Sequence, residues 1–128
     1  MATSSATEIS AAIGEAIGKG DYEAFDRLMS PDLAAEFRES ITRLKQSFPD
    51  YAGTNEFYVV DGDRVVSRWL YHGTHDGDFL GLPATGKHVT FTGISIDRVV
   101  DGRVVESIVE LDMLGVLRQL GAPGPPEG

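Results

Sequence analysis

Hydrophobic residues recur at two different spacings along this chain of 128 residues, and the spacing changes near Tyr51. Before Tyr51, apolar residues recur every three or four positions, which is typical of helices with one buried face. After it, short runs of alternating apolar and polar residues are separated by Asp-Gly turns, which is typical of strands. Helices first and strands afterwards predict an α+β domain, with the helices packed on one face of a mainly antiparallel sheet.

Three helices are predicted in the first part of the chain. The first begins at a capping box, Ser5–Glu8, in which a hydroxyl and a carboxylate satisfy backbone donors reciprocally, and it ends at Gly20. The second is capped by Asp21 and broken at Pro31. The third is predicted over 40–48.

Four strands and a final helix are predicted in the second part, with strands at 56–60, 64–71, 89–98 and 103–112. The helix follows Asp112 and ends at Gly121. Long strands that curl around helices form a cone-shaped barrel, so we expect a pocket on the concave face of the sheet. Residues 1–121 are therefore predicted to form one domain, and the tail 122–128, rich in proline and glycine, is predicted to be disordered.

The composition narrows the classes of function. Twenty acidic residues against 11 basic ones give a net charge of −9, which repels nucleic-acid phosphates and anionic membranes. No cysteine is present, which excludes disulfides, thiolate nucleophiles and cysteine-ligated metals. The N-terminal residues do not resemble a secretory signal, and no apolar stretch approaches the roughly 20 residues of a membrane span, so a cytoplasmic location is predicted.

The strongest candidate for chemistry is Asp112, an acidic residue that ends the apolar strand Val109-Glu110-Leu111. Two interpretations are compatible with this position. Asp112 can cap the helix that begins at Met113, because aspartate is preferred there. It can also act as a general acid/base at the edge of the pocket, where apolar neighbours favour proton transfer near neutral pH.

Arg98 is the candidate partner of Asp112, and its orientation depends on the turn at Asp101-Gly102. A two-residue turn pairs Arg98 with Val105 and places Arg98 and Asp112 on opposite faces of the sheet. A three-residue loop with a bulge pairs Arg98 with Val104 and places them on one face, where Arg98 could stabilise an enolate. A structural ion pair is the alternative role of Arg98.

His75 lies at a junction between a strand and a loop, at the predicted pocket rim, where an acid/base or hydrogen-bonding role is possible. A loop histidine without a chemical role is the alternative. Together with His72 it makes a poor metal site, because their spacing on a strand points the rings to opposite faces. We therefore predict no metal site.

Four further side chains are predicted to contact a ligand: Trp69, Tyr58, Phe79 and His88. Trp69 alternates with Arg68, so one of the two faces the pocket. Aromatic walls suit a small apolar or aromatic metabolite. No nucleophile elbow, Walker loop, dinucleotide fingerprint or zinc-protease motif is present, which favours proton transfer without a cofactor.

A set of short motifs runs from residue 48 to residue 121. They are Phe48-Pro49-Asp50, Gly62-Asp63-Arg64-Val65-Val66, Gly73-Thr74-His75-x-Gly77, Phe79-x-Gly81-x-Pro83-x-Thr85-Gly86-Lys87, Asp101-Gly102-Arg103-Val104-Val105-Glu106, Asp112 and Gln119-Leu120-Gly121. This combination resembles the SnoaL-like polyketide cyclases of the nuclear-transport-factor-two-like superfamily. The resemblance implies an α+β cone, a homo-oligomer and cofactor-free catalysis. Members of that family close the last ring of aromatic polyketides by intramolecular aldol condensation.

The resemblance also implies roles for individual residues. An aspartate at the position of Asp112 is the family's general acid/base, and a histidine at the position of Arg98 assists it. Arginine at position 98 departs from this pattern, and Ile108 stands where the family usually has tryptophan, which predicts a reshaped pocket. Three functions therefore stay open: cyclisation of a polyketide-like or polycyclic carbonyl metabolite, epoxide opening or hydroxylation, and binding without catalysis.

A homodimer joined through the outer face of the sheet is also expected. Val105, Val109 and Leu111 alternate opposite Phe91, which predicts an apolar stripe on one face. The helices can cover only one face of a single sheet, so the other needs a partner or water.

Overall fold

The computed structural model describes residues 5–122, which form four helices and one sheet of four strands. In chain order the elements are α1 (Ala6–Lys19), α2 (Glu23–Leu28), α3 (Pro31–Ser47), β1 (Ala52–Asp61), β2 (Arg64–Thr74), β3 (His88–Val100), β4 (Arg103–Leu111) and α4 (Met113–Gln119). Consecutive strands pair antiparallel, and the sheet is curved but not closed. The predicted α+β fold is confirmed. Apart from Ala122, the tail predicted to be disordered lies outside the described residues.

The helices begin and end largely where the capping residues place them. The hydroxyl of Ser5 accepts a hydrogen bond from the amide of Glu8 at 3.1 Å, and Gly20, with φ of 70°, ends α1 in the left-handed region. The prediction for α3 was wrong at its start, because α3 begins at Pro31 instead of residue 40. Proline lacks the amide hydrogen that would go unused in a first helical turn, so Pro31 starts α3 as well as ending α2.

The hairpin between β3 and β4 contains a bulge at a position that neither predicted register included. Asp101 and Gly102 form a two-residue turn in which both residues have positive φ. Beyond the turn, Val99 pairs with Val104 and Arg98 pairs with Glu106, so Val105 is the extra residue of a β-bulge. Both registers proposed from the sequence are therefore wrong.

The bulge decides which side chains of β4 face the helices. After it, Ser107 pairs with Asp97 and Val109 with Ser95, and these side chains share the inner face of the sheet. The predicted apolar stripe is therefore not on the outer surface, because Phe91 is buried and Val109 and Leu111 line the inner side. The outer face carries a different set of exposed apolar side chains: Phe57, Val59, Leu70, Ile94 and Ile108.

The core lies between the helices and the inner face of the sheet. In β2 every second residue, from Val65 to Tyr71, is buried, while Arg68 points outward and lies 3.7 Å from Glu56. α1 packs across β1 and β2, and α4 packs on β3. Within residues 5–122, no helix combines the length and apolar character needed to cross a membrane.

Candidate active site

A cavity of about 380 Å³ lies between α1, α3 and the inner face of the sheet. The helices contribute mainly apolar side chains, among them Ile13, Ile17, Phe37 and Leu44. The strands contribute four polar side chains close together in register: Ser67, Ser95, Asp97 and Ser107. The cavity therefore has apolar walls and a polar floor, an arrangement typical of small-molecule sites.

Asp97 is the buried carboxyl group of this floor. Its residue surface is 6% exposed, and its Oδ1 accepts a hydrogen bond of 2.6 Å from the hydroxyl of Ser107. Burial raises the pKa of Asp97 above its ordinary value, because desolvation disfavours the carboxylate, while the hydrogen bond from Ser107 acts in the opposite direction. A carboxyl group with these properties can take up and return a proton closer to neutral pH than an exposed one.

Trp69 lines the same cavity and contacts its polar floor at Ser95. Its indole Nε1 donates a hydrogen bond of 2.9 Å to the hydroxyl of Ser95. Gly93 lies directly opposite Trp69 on β3, and a Cβ atom at position 93 would stand 2.3 Å from the indole ring. The absence of a side chain at Gly93 therefore gives the indole its place against the sheet.

Two buried tyrosines add neutral hydroxyl groups to the cavity. Burial raises the pKa of Tyr71 to about 12 and also raises the pKa of Tyr51, so both hydroxyls stay protonated near neutral pH. Asn55 lines the same cavity, and its Nδ2 donates a hydrogen bond of 2.9 Å to the hydroxyl of Tyr58. These groups can orient the oxygens of a ligand without a charge.

The charges of the cavity are acidic. Asp97 lies on the floor, and the exposed Glu36 lies on α3. Among the lining residues in the described part of the chain there is no lysine, arginine or histidine. The cavity should therefore favour a neutral ligand over an anionic one, since an anion would meet two carboxylates and no cation.

Arg98, predicted as a partner of the acid/base, lies on the outer face of the sheet. Its guanidinium group contacts Asp63 at 2.9 Å and Glu106 at 3.4 Å. The structural ion-pair interpretation describes this geometry. Ile108, whose identity predicted a reshaped pocket, is 53% exposed on the same outer face, so it does not shape the cavity.

Asp112 caps α4. Its Oδ1 accepts a hydrogen bond of 2.9 Å from the amide of Gly115, and its side chain is exposed. The capping interpretation is confirmed. The structure does not bring Asp112 together with Arg98 at the cavity, so the predicted acid/base pair is not assembled within residues 5–122.

The predicted position of His75 at the pocket rim was wrong, because the side chain is fully buried. The ring stacks on Phe48 with centroids 5.5 Å apart. Its Nδ1 accepts a hydrogen bond of 3.2 Å from the amide of Thr85 and lies 2.9 Å from the Thr85 hydroxyl. His75 therefore fastens the loop 76–87 to the core.

The four predicted ligand contacts fall in three places. Trp69 lines the cavity. Tyr58 lies behind the lining residue Asn55, from which its hydroxyl accepts a hydrogen bond. Phe79 packs in the loop against Phe48, with ring centroids 5.1 Å apart. His88 is exposed at the start of β3, with its ring 5.3 Å from that of His72. Phe79 and His88 therefore lie away from the cavity, contrary to the prediction.

Sequence reasoning missed Asp97 and Ser107. A signal for Asp97 was present, because it shares its parity in β3 with the apolar residues Val89 and Phe91, which mark the buried face. Ser107 could not be found in this way, because its orientation depends on the bulge at Val105.

A second depression, of about 500 Å³, lies on the exposed side of α3. Its charged side chains are engaged with each other, since Arg38 lies 2.9 Å from Asp26 and Arg43 lies 2.7 Å from Glu39. It has neither a buried carboxyl group nor an enclosed shape, so the cavity on the inner face of the sheet is the candidate active site.

These features define a class: a small α+β protein whose helices and curved antiparallel sheet enclose a cavity with a buried acid. The family model for SnoaL-like polyketide cyclases matches residues 8–120, so the chain belongs to the SnoaL-like polyketide cyclase family. DnrD, an aklanonic acid methyl ester cyclase of Streptomyces peucetius, is 34% identical over 116 residues, which are 89% of this chain and 78% of that protein.

Two solved structures share the fold over nearly the whole chain. TsrD from Streptomyces laurentii superposes with a TM-score of 0.84 at 28% identity, covering 91% of this chain and 95% of that chain. IdmH from Streptomyces antibioticus superposes with a TM-score of 0.83 at 29% identity, covering 91% and 98%.

Proposed function

We propose that this protein is a cofactor-independent cyclase that closes a ring of a neutral, polycyclic polyketide ester, with Asp97 as general acid/base. The observation that carries this proposal is the buried carboxyl group of Asp97 on the floor of a cavity with apolar walls. Proton transfer by such a group contributes roughly 10²- to 10⁴-fold to catalysis.

The reaction needs only one proton carrier. The carboxylate of Asp97 removes a proton from a carbon next to a ligand carbonyl, and an enolate forms. The enolate carbon attacks a second carbonyl carbon of the same molecule, a carbon–carbon bond forms, and the electron pair of that carbonyl moves to its oxygen. Asp97 then returns the proton to this oxygen. The product is an isomer of the substrate, and no oxidant or reductant is consumed.

The neutral groups of the cavity fit the other demands of this reaction. A developing enolate or alkoxide needs a hydrogen-bond donor, which the hydroxyl of Ser67 can supply. The apolar side chains of α1 and α3 suit the carbon skeleton of a polycyclic ligand. The acidic lining favours an ester over a free acid, and DnrD is named for a methyl ester.

The test is direct incubation with aklanonic acid methyl ester, followed by chromatography and mass spectrometry. We expect a protein-dependent product of unchanged mass. The corresponding free acid is the matched control ligand, and it should react more slowly because its carboxylate is repelled by Asp97 and Glu36. Heat-denatured protein measures the uncatalysed background.

The decisive variant is Asp97→Asn, which keeps the shape of the side chain and its acceptor for Ser107. We expect kcat to fall on the order of 10²- to 10⁴-fold, as for other positioned proton carriers. The matched control is Asp112→Asn, which makes the same change at the exposed cap of α4. Full activity of Asp97→Asn would overturn the proposed role of Asp97.

Binding without catalysis is a second candidate function. It is favoured by the positions of Arg98 and Asp112, since neither residue that the family resemblance assigned to chemistry lies in the cavity. A thermal shift with the methyl ester, without turnover of it or of nogalonic acid methyl ester, the substrate named for a 28% identical relative from Streptomyces nogalater, would favour this function.

A further inference from the structure

We propose that Ser107 is a positioning residue, whose hydroxyl holds Oδ1 of Asp97 and thereby orients the carboxyl group in the cavity. This inference rests on the proposed function of Asp97. Ser107 and Asp97 are direct cross-strand partners between β4 and β3, and their side chains share the inner face of the sheet. The hydrogen bond between them is 2.6 Å long, in the range of a hydroxyl donating to a carboxylate.

The two oxygens of the Asp97 carboxyl group differ in their hydrogen bonding. Oδ1 is engaged by Ser107, whereas Oδ2 accepts no hydrogen bond from any residue of the described range 5–122. Asp97 lines the cavity, so the small exposed part of its surface opens there. Fixing Oδ1 leaves Oδ2 as the oxygen that can exchange a proton with a ligand.

The same hydrogen bond acts on the protonation of Asp97. A serine hydroxyl has one hydrogen, and donating it to Oδ1 stabilises the carboxylate more than the neutral acid. This opposes the desolvation that raises the pKa of Asp97. Ser107 would thus keep a buried carboxyl group able to ionise and act as a base.

Within residues 5–122, the only other charged side chain that lines the cavity is that of Glu36 on α3. The directly paired residues of Asp97 are Val65 on β2 and Ser107 on β4, and Ser95 lies two residues earlier on the same face of β3. Ser95 accepts the indole hydrogen of Trp69. Among these neighbours, Ser107 is therefore the one that donates a hydrogen bond to the carboxyl group.

The experiment follows the titration of Asp97 directly, in protein labelled with ¹³C at the aspartate carboxyl carbons. The Asp97 signal is assigned by its loss in Asp97→Asn. We expect Ser107→Ala to raise the titration midpoint of Asp97, because desolvation is then unopposed, and Ser107→Thr to restore it by keeping the hydroxyl. Ser95→Ala is the matched control, which removes a hydroxyl from the same floor, and it should leave the midpoint in place.

Kinetics on the same variants separates this inference from the proposed function. In Ser107→Ala, the acidic side of the pH profile of kcat/KM should move to higher pH. At pH values below this inflection, kcat/KM should be about tenfold lower than in the wild type, which is the scale of one hydrogen bond to a charged group. An unchanged Asp97 midpoint in Ser107→Ala would overturn the role of Ser107, whatever the activity. A raised midpoint with no shift in the acidic side of the pH profile would instead overturn Asp97 as the acid/base.

Discussion

Asp97 and Arg98 are neighbours in sequence, and their side chains lie on opposite faces of the sheet. Asp97 is buried in the cavity and bonded to Ser107, whereas Arg98 is bonded to Asp63 on the outer surface. The alternation of a β-strand imposes this separation. Asp97 can therefore carry a proton in the cavity, whereas the adjacent Arg98 only binds acidic side chains on the surface.

This relationship predicts a contrast between two variants. Arg98→Gln should leave turnover of the methyl ester unchanged per folded molecule, while Asp97→Asn abolishes most of it. The free energy of unfolding should change little in Arg98→Gln, because exposed ion pairs contribute little to stability. Chemical denaturation and kinetics on both variants check this. A large loss of turnover in Arg98→Gln would contradict the placement of Arg98 outside the site.

A second prediction concerns the cap of α4. Asp112→Ala should lower the free energy of unfolding by about 1 kcal/mol, because the amide of Gly115 loses its acceptor. Asp112→Asn should cost less, since asparagine is an equally good cap. Both variants should keep their turnover per folded molecule. A fall in turnover on the order of 10²-fold in Asp112→Asn, with stability retained, would return the acid/base role to Asp112.

The third prediction is a pH dependence of stability that belongs to Asp97. Its pKa is raised in the folded protein by burial, so the folded state binds the proton more tightly than the unfolded chain. The carboxylate therefore destabilises the fold above the raised pKa, and this effect disappears as the pH falls through that pKa towards the unfolded value of about 3.9. Asp97→Asn should thus be more stable than the wild type at neutral pH.

The measurement is the difference in thermal midpoint between wild type and Asp97→Asn across the pH range. This difference should shrink on acidification. The lowered pKa values of Asp50 and Asp63 make both proteins less stable in acid, and taking the difference cancels their contribution. A difference that does not change with pH would contradict the burial of an ionisable group at position 97.

The fourth prediction tests the packing of the Trp69 indole ring against Gly93. A Cβ atom at position 93 would lie 2.3 Å from the indole and 2.6 Å from the carbonyl oxygen of Glu110. Gly93→Ala should therefore destabilise the protein by roughly 1–3 kcal/mol, as overpacking does, and weaken ligand binding. Gly18→Ala is the matched control. A Cβ atom there would meet only Ala52, at 3.4 Å. Alanine should therefore stabilise α1, because it has a higher helix propensity than glycine.

The fifth prediction is a homodimer through the outer face of the sheet. Ile94 and Ile108 are 41% and 53% exposed there, next to Phe57, Val59 and Leu70, and such a surface is typical of an interface. Sedimentation velocity at micromolar concentration should show a dimer for the wild type and a monomer for Ile108→Lys. Leu80→Lys, a change at an exposed apolar side chain in the loop 76–87, should leave the dimer intact. A wild-type monomer would contradict this prediction.

The sequence by itself determined the kinds of elements in this protein and their order, although not the start of α3. Helical spacing, Ser5 and Gly20 define α1, and alternation on both sides of Asp101-Gly102 defines the hairpin of β3 and β4, because these signals act within a few residues. The length of the turn was left open by the sequence. The motif set also identified the family correctly. The same local signals placed Trp69 on the cavity side of β2 as one of two alternatives with Arg68.

Only the tertiary structure decided which residues meet in the cavity. The bulge at Val105 sits where a remote segment joins β4, since the amide of Ser30 donates a hydrogen bond of 2.9 Å to the carbonyl of Val104. That contact joins residues far apart in the chain, so no local pattern contains it. Because side chains alternate along a strand, one extra residue moves every later side chain to the other face. The pairing of Asp97 with Ser107 therefore depends on a register that the folded sheet sets.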